Sequence, residues 1–212
     1  MKRTVILLYP GFAPLDAIGP YHALAHIPDH EFMFVGLERG IVADGMNLRV
    51  EIDTAIDEID RCDVLVVPGG MTSHVLARDG HEVIDWIRAI YPTTTWTTSV
   101  CTGSLMLGAA GILAGRRATT HWYFHDELKD YGAIAVDKRV VIDGNVMTGA
   151  GISAGIDMAL TLNARLAGDE WAQMTQLDME YAPEPPFNAG HPTTAPIEVT
   201  ARVRAMFDSA FS

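Results

Sequence analysis

Unbroken apolar runs alternate along this chain with longer stretches of helical period. Thr4-Val-Ile-Leu-Leu-Tyr9 is apolar throughout and stops at Pro10-Gly11, as a strand buried on both faces does. Leu15 to Ile27 predicts a helix, and Phe32-Met-Phe-Val35 a second buried strand. Ile41 to Ala43 and Leu48 to Ile52 flank Asp44-Gly45, a hairpin signal. Val64-Leu-Val-Val67 is a further all-apolar strand, closed by Pro68-Gly69-Gly70. From Ser73 to Ile90 the apolar positions Val75, Leu76, Val83, Trp86, Ile87 and Ile90 fall on one helical face. Thr94 to Val100 is rich in β-branched residues and predicts a strand, with a helix from Thr102 to about Leu113 after it.

The pattern continues in the second half. Ala118 to Thr120 reads as a short strand or loop and Trp122 to Tyr131 as a helix. Val140 to Ile142 and Val146 to Thr148 bracket Asp143-Gly144-Asn145, a second hairpin signal. Helices are expected over Ser153 to Ala167 and from Gly168 to Glu180. Tyr181 to Pro196 carries five prolines and predicts an ordered loop, before a last helix over Ile197 to Phe211. Strands alternating with helices predict an α/β fold with a doubly wound parallel sheet and small hairpin additions. No internal repeat and no break in composition mark a linker, so a single domain over residues 1–212 is expected.

Composition narrows the function. The 212 residues are 49% hydrophobic, enough for a large core, and the formal charge of −12, from 15 basic and 27 acidic residues, opposes binding to nucleic acid or to anionic membranes. The apolar run after Lys2-Arg3 is too short for a secretory signal, and no stretch approaches the roughly 18 apolar residues of a membrane span. The two cysteines, Cys62 and Cys101, form no disulfide or metal pattern. A cytoplasmic protein with free thiols is therefore expected. The histidines show no ligand spacing with Asp or Glu that demands a metal, and no GxGxxG follows the first strand, so neither a metal nor a dinucleotide cofactor is expected.

In doubly wound sheets the site lies beyond the carboxyl ends of the strands. Four segments of unusual chemistry arrive there: the stretch from Pro10 to Asp16, Pro68-Gly69-Gly70-Met71, Ser99-Val100-Cys101-Thr102-Gly103-Ser104, and Thr119-Thr120-His121-Trp122. Small residues two positions either side of Cys101, Ser99 and Gly103, are those of a nucleophile elbow, a strand-to-helix turn too tight for larger neighbours. A cysteine at a helix N-terminus meets unpaired amides that favour a thiolate. Asp16 is either the N-cap of the first helix or a proton-transfer partner for the thiol; the converging strand ends favour the second role. The amides of Gly70 and Thr102 are candidates for an oxyanion pocket. His121 is a candidate base or a packing residue. Trp122, Ile152, Tyr181 and Phe187 are candidate pocket walls.

Taken together these segments resemble the DJ-1/PfpI superfamily over nearly the whole chain, and most closely its isocyanide hydratase branch. The resemblance is carried by Ser99-Val-Cys-Thr-Gly-Ser-Leu105, Gly115-Arg-Arg-Ala-Thr-Thr-His-Trp122 and Glu180-Tyr-Ala-Pro-Glu-Pro-Pro-Phe-Asn-Ala-Gly190. It implies a flavodoxin-like sandwich, a homodimer, no cofactor, and a catalytic cysteine at Cys101. It places the assisting carboxyl at Asp16, where much of the superfamily has Glu, and Thr102 after the nucleophile, where protease-like relatives have His. The implied reaction converts an isocyanide and water to an N-formamide through a covalent thioimidate. The alternatives are another cysteine hydrolase or amidase on this scaffold, and a redox or stress sensor in which Cys101 oxidises without turnover.

Overall fold

The computed structural model describes residues 1–211 and resolves into two compact units, Met1–Met179 and a second beginning at Glu180. In chain order the first unit holds β1 (Lys2–Leu8), α1 (Pro14–Leu24), β2 (His30–Gly36), β3 (Gly40–Ala43), β4 (Arg49–Ile52), β5 (Val64–Val67), α2 (Ser73–Arg78), α3 (Glu82–Ile90), β6 (Trp96–Val100) and α4 (Gly103–Ala109). It continues with β7 (Arg117–Ala118), a 3-10 helix over Trp122–Tyr131, β8 (Ile134–Ala135), β9 (Val140–Asp143), β10 (Val146–Gly149), α5 (Ala154–Ala167) and α6 (Asp169–Asp178). The second unit holds the proline-rich stretch from Tyr181 to Pro196, without helix or strand, and then α7 (Ile197–Phe211).

Six strands form the main sheet in the order β2-β1-β5-β6-β10-β9. The first five run parallel and β9 pairs antiparallel to β10 at the edge. Counted among themselves in chain order, the parallel strands stand 2-1-3-4-5, the flavodoxin-like arrangement, whose direction of winding reverses between β1 and β5. The unbroken apolar runs have their cause here. Val5 to Leu8 and Val64 to Val67 are all but completely buried, because helices cover both faces of the sheet. The small hairpin β3–β4 stands outside the sheet, as its turn signal predicts.

Two expectations change. The helix read from Ser73 to Ile90 is two helices, α2 and α3, separated at Asp79-Gly80-His81. Gly80 takes a φ of +67°, and the His81 side chain accepts the Val83 N–H at 3.2 Å to cap the second helix. The apolar spacing runs through this break, so periodicity alone misses it. The hairpin read over Val140 to Thr148 is real, but β10 also pairs in parallel with β6, so it carries the last parallel strand of the sheet.

Candidate active site

The carboxyl ends of β1, β5 and β6 converge where the winding reverses. Cys101 stands between β6 and α4 at a φ of +56°, a left-handed conformation that costs a residue with a side chain about 1–2 kcal/mol. The turn is tied down from several sides. The Cys101 N–H donates to the carbonyls of Gly149 and Ala150 at 3.0 and 2.8 Å. Its own carbonyl accepts the Thr120 hydroxyl at 2.9 Å and the Ser104 hydroxyl at 3.0 Å. Gly103 has to be glycine, since a β-carbon there would run into the Val67 carbonyl oxygen and stand 2.8 Å from the carbonyl carbon of Pro68. The small residues read from the sequence thus answer to crowding at the end of β5.

Asp16 sits in the first turn of α1 and is completely buried. The N-cap is Ala13, without a side-chain bond, so Asp16 does not cap the helix. Its Oδ2 accepts the Gly69 N–H at 3.0 Å, while Oδ1 has no hydrogen-bond partner of ordinary geometry. Gly69 allows this approach, for a β-carbon there would lie 2.9 Å from Asp16 Oδ2 and 2.6 Å from the Thr102 amide nitrogen. Burial pushes the Asp16 carboxyl up to about 7, against smaller lowering effects of the Gly69 amide and the Cys101 thiol.

The thiol itself departs from expectation. Cys101 is 7% exposed, and burial, followed by the charge of Asp16, pushes it up to about 12. The amides of Ile152 and Thr102 and the Thr102 hydroxyl act on the sulfur in the opposite, thiolate-favouring direction, but they are outweighed. Burial therefore works toward the neutral thiol, against the thiolate that the helix start favours. The carboxyl and the thiol lose their protons as one coupled pair.

The amides also differ from the sequence reading. The Gly70 N–H donates to Thr102 Oγ1 at 3.1 Å, so it is not directed at the sulfur. The amide of Ile152 takes that place beside the amide of Thr102. No residue type signals such a role, because a backbone amide leaves no trace in the sequence. The Ile152 side chain is exposed.

His121 caps the 3-10 helix over Trp122–Tyr131, its Nδ1 accepting the Tyr123 N–H at 3.3 Å. Its ring packs against Gly151, where a β-carbon would lie 3.1 Å from Cδ2, and stands 5.6 Å from the Trp122 ring. Burial lowers its value to about 4, so the imidazole is neutral near pH 7. A value that low makes the ring a weak base, which fits the packing reading. Tyr181 and Phe187 belong to the second unit, where Phe187 is exposed. Cys62 is buried and pushed up to about 12 by that burial, an inert thiol. Among the described residues no three His, Cys, Asp or Glu side chains gather in a way that could hold a metal ion, and no helix is long and apolar enough to cross a membrane.

A cysteine on a strained strand-to-helix turn after β6, with a buried carboxyl from the helix that follows β1, defines an α/β protein built around a nucleophile elbow. The chain belongs to the DJ-1/PfpI family, which it matches over residues 2–165. It is 47% identical over 198 residues to an isonitrile hydratase of Pseudomonas putida, a match covering 93% of this chain and 86% of that protein. It is 31% identical over 145 residues to a deglycase of Thermococcus kodakarensis, covering 68% of this chain and 86% of the deglycase. The crystal structure of a ThiJ/PfpI family protein from Pseudomonas syringae superimposes with a TM-score of 0.94 at 34% identity, covering 98% of this chain and 86% of that one.

Proposed function

We propose that this protein is an isocyanide hydratase, and that Cys101 and Asp16 carry the reaction. The observation that bears most weight is the buried Asp16 carboxyl, raised to about 7, acting on the Cys101 thiol at the end of the sheet. The 47% identity to an isonitrile hydratase over most of both chains supports the substrate class.

The proton inventory of the pair suits this chemistry. With one proton between them, the carboxylate draws the proton from the thiol as the sulfur attacks the terminal carbon of R–N≡C. The C–S bond forms from the sulfur lone pair. The protonated carboxyl then passes the same proton to that carbon, giving the thioimidate R–N=CH–S–Cys101. Asp16, again charged, takes a proton from water as the hydroxyl adds to the carbon. Asp16 returns that proton to nitrogen, and collapse to the C=O breaks the C–S bond while the hydroxyl proton passes through Asp16 to the departing sulfur, so that R–NH–CHO leaves with the thiol restored. Charge on the departing sulfur is met by the amides of Thr102 and Ile152. Hydration is redox-neutral, so the scheme requires no electron carrier. The exposed Ile152 side chain, whose backbone amide faces the sulfur, is suited to contact the organic substituent.

Incubation with a simple aromatic isocyanide should yield the matching N-formamide, detected by chromatography and mass spectrometry. Formamide at the uncatalysed rate, with conversion of methylglyoxal or a peptide in parallel assays, would replace this reading with another cysteine hydrolase. Within the same proposal the protein is a cytoplasmic homodimer. The outer face of α1 leaves Leu15, Ile18 and Tyr21 exposed, a row of apolar side chains that a second copy would cover. Light scattering at micromolar concentration should return twice the chain mass, and a monomer would remove the dimer.

A further inference from the structure

Behind the Cys101–Asp16 pair lies a chain of buried hydroxyls to which the mechanism above assigns no part. Ser73, the first residue of α2, is completely buried, as are Tyr9 and, within 3%, Thr102. Ser73 Oγ lies 2.6 Å from Thr102 Oγ1 and 2.8 Å from the Gly70 carbonyl oxygen. Ser73 also hydrogen-bonds the Tyr9 phenol, whose own proton goes to the Pro68 carbonyl at 2.7 Å. Thr102 Oγ1 accepts the Gly70 N–H at 3.1 Å, and its hydroxyl acts on the Cys101 sulfur.

Each hydroxyl has one proton to give, and Ser73 faces three acceptors, Thr102, the Gly70 carbonyl and the Tyr9 phenol, so this cluster has two kinds of arrangement. In the first, Ser73 donates to Thr102, and the Thr102 proton is free to point at the sulfur. In the second, Ser73 donates to the Gly70 carbonyl or the Tyr9 phenol and Thr102 donates to Ser73, so the sulfur receives nothing. Negative charge on sulfur selects the first arrangement, because a hydrogen bond to a charged acceptor is stronger than one between neutral groups. We propose that Ser73 is a positioning residue: by donating to Thr102 it turns the Thr102 hydroxyl toward Cys101 whenever the sulfur carries charge. Without Ser73, Thr102 loses the donor that polarises its hydroxyl toward the charged sulfur, and nothing holds that hydroxyl from the Gly70 carbonyl at 3.4 Å. Its proton is then divided between carbonyl and sulfur, and the bond to the sulfur weakens.

This inference rests on Cys101 being the nucleophile, and its test therefore reads the sulfur directly instead of isocyanide turnover. The rate of Cys101 carboxamidomethylation by iodoacetamide is followed by peptide mass spectrometry across a pH series, with melting curves to confirm folding. Ser73→Ala and Thr102→Val should each slow alkylation about three- to tenfold at a pH below the thiol's own value, since one unit of thiol pKa, the low end of a hydrogen bond to a charged group, cuts the thiolate about tenfold while its nucleophilicity rises in part compensation. The double variant should be no slower than either single one, since both remove the same bond. Thr102→Ser, which keeps the hydroxyl, should match the unmodified protein. Should Ser73→Ala fail to fold, Ser73→Cys, of similar shape and with a weak donor, should slow alkylation in the same direction. A Ser73→Ala profile that superimposes on the unmodified protein's, or losses that add in the double variant, would overturn the proposal whether or not isocyanide proves to be the substrate.

Discussion

Cys101→Ala will leave a folded protein whose formamide production drops to the uncatalysed rate. The loss should exceed about a thousandfold, because the covalent route disappears and no other group can replace it. The second cysteine, Cys62, is buried before the start of β5 and away from the strand ends where the chemistry gathers. Folding should survive, since alanine fits the space of the thiol and the turn is fixed by bonds to the Cys101 backbone, which the substitution keeps. In the unmodified enzyme, rapid quenching during turnover should show a Cys101 peptide heavier by the full mass of the isocyanide, because forming the thioimidate expels nothing. Undiminished turnover by the alanine variant would remove sulfur from the mechanism.

Asp16→Asn should separate activity from stability. Formamide production is expected to fall by about 10²–10⁴, the usual contribution of a positioned acid–base group. Stability moves the other way at alkaline pH. The Asp16 carboxyl is raised from 3.8 to about 7 by burial. The native chain thus keeps a proton that the unfolded chain has already released. The stability this group contributes is complete below the unfolded value, is lost as pH rises toward about 7, and is constant above that. At pH 8 the cost of ionising it is about 4 kcal/mol, three units at the standard conversion. Asparagine carries no such cost and retains an acceptor for the Gly69 N–H. The variant should melt above the unmodified protein at pH 8, with the gap closing toward pH 4. The unmodified enzyme's kcat/KM should rise as pH passes about 7, where the pair loses the first of its two protons, and the variant should lack that limb. A variant that melts lower at pH 8 and keeps the limb would show that the buried carboxyl is not the titrating group.

The legible parts of this molecule are those set by side-chain type along the chain. The apolar runs at β1 and β5 announce strands covered on both faces, and Ser99 and Gly103 announce a turn without room for larger neighbours. The break at Gly80 is harder to see, because Val75, Leu76, Val83 and Ile87 keep to one helical stripe through it. The state of Cys101 is harder still. The sequence shows that amides will face the sulfur, but not that the site is dry enough for burial to outweigh them. Gly70 has the look of an oxyanion donor until the Thr102 hydroxyl is found on its amide, and Ile152 acts through its backbone, which composition cannot reveal. Ser73 looks like an ordinary helix-start serine until folding brings Thr102 against it.

The near-complete burial of Cys101, a residue only 7% exposed, acts as a sieve on electrophile shape. An isocyanide offers its reactive carbon at the tip of a linear group, with nothing beside it, and can approach end-on with little lateral room. A ketone or ester carbon is flanked by two substituents and needs lateral room that such burial denies. Selectivity against crowded carbonyl compounds is thereby built into the depth at which the sulfur sits, with no dedicated recognition contact.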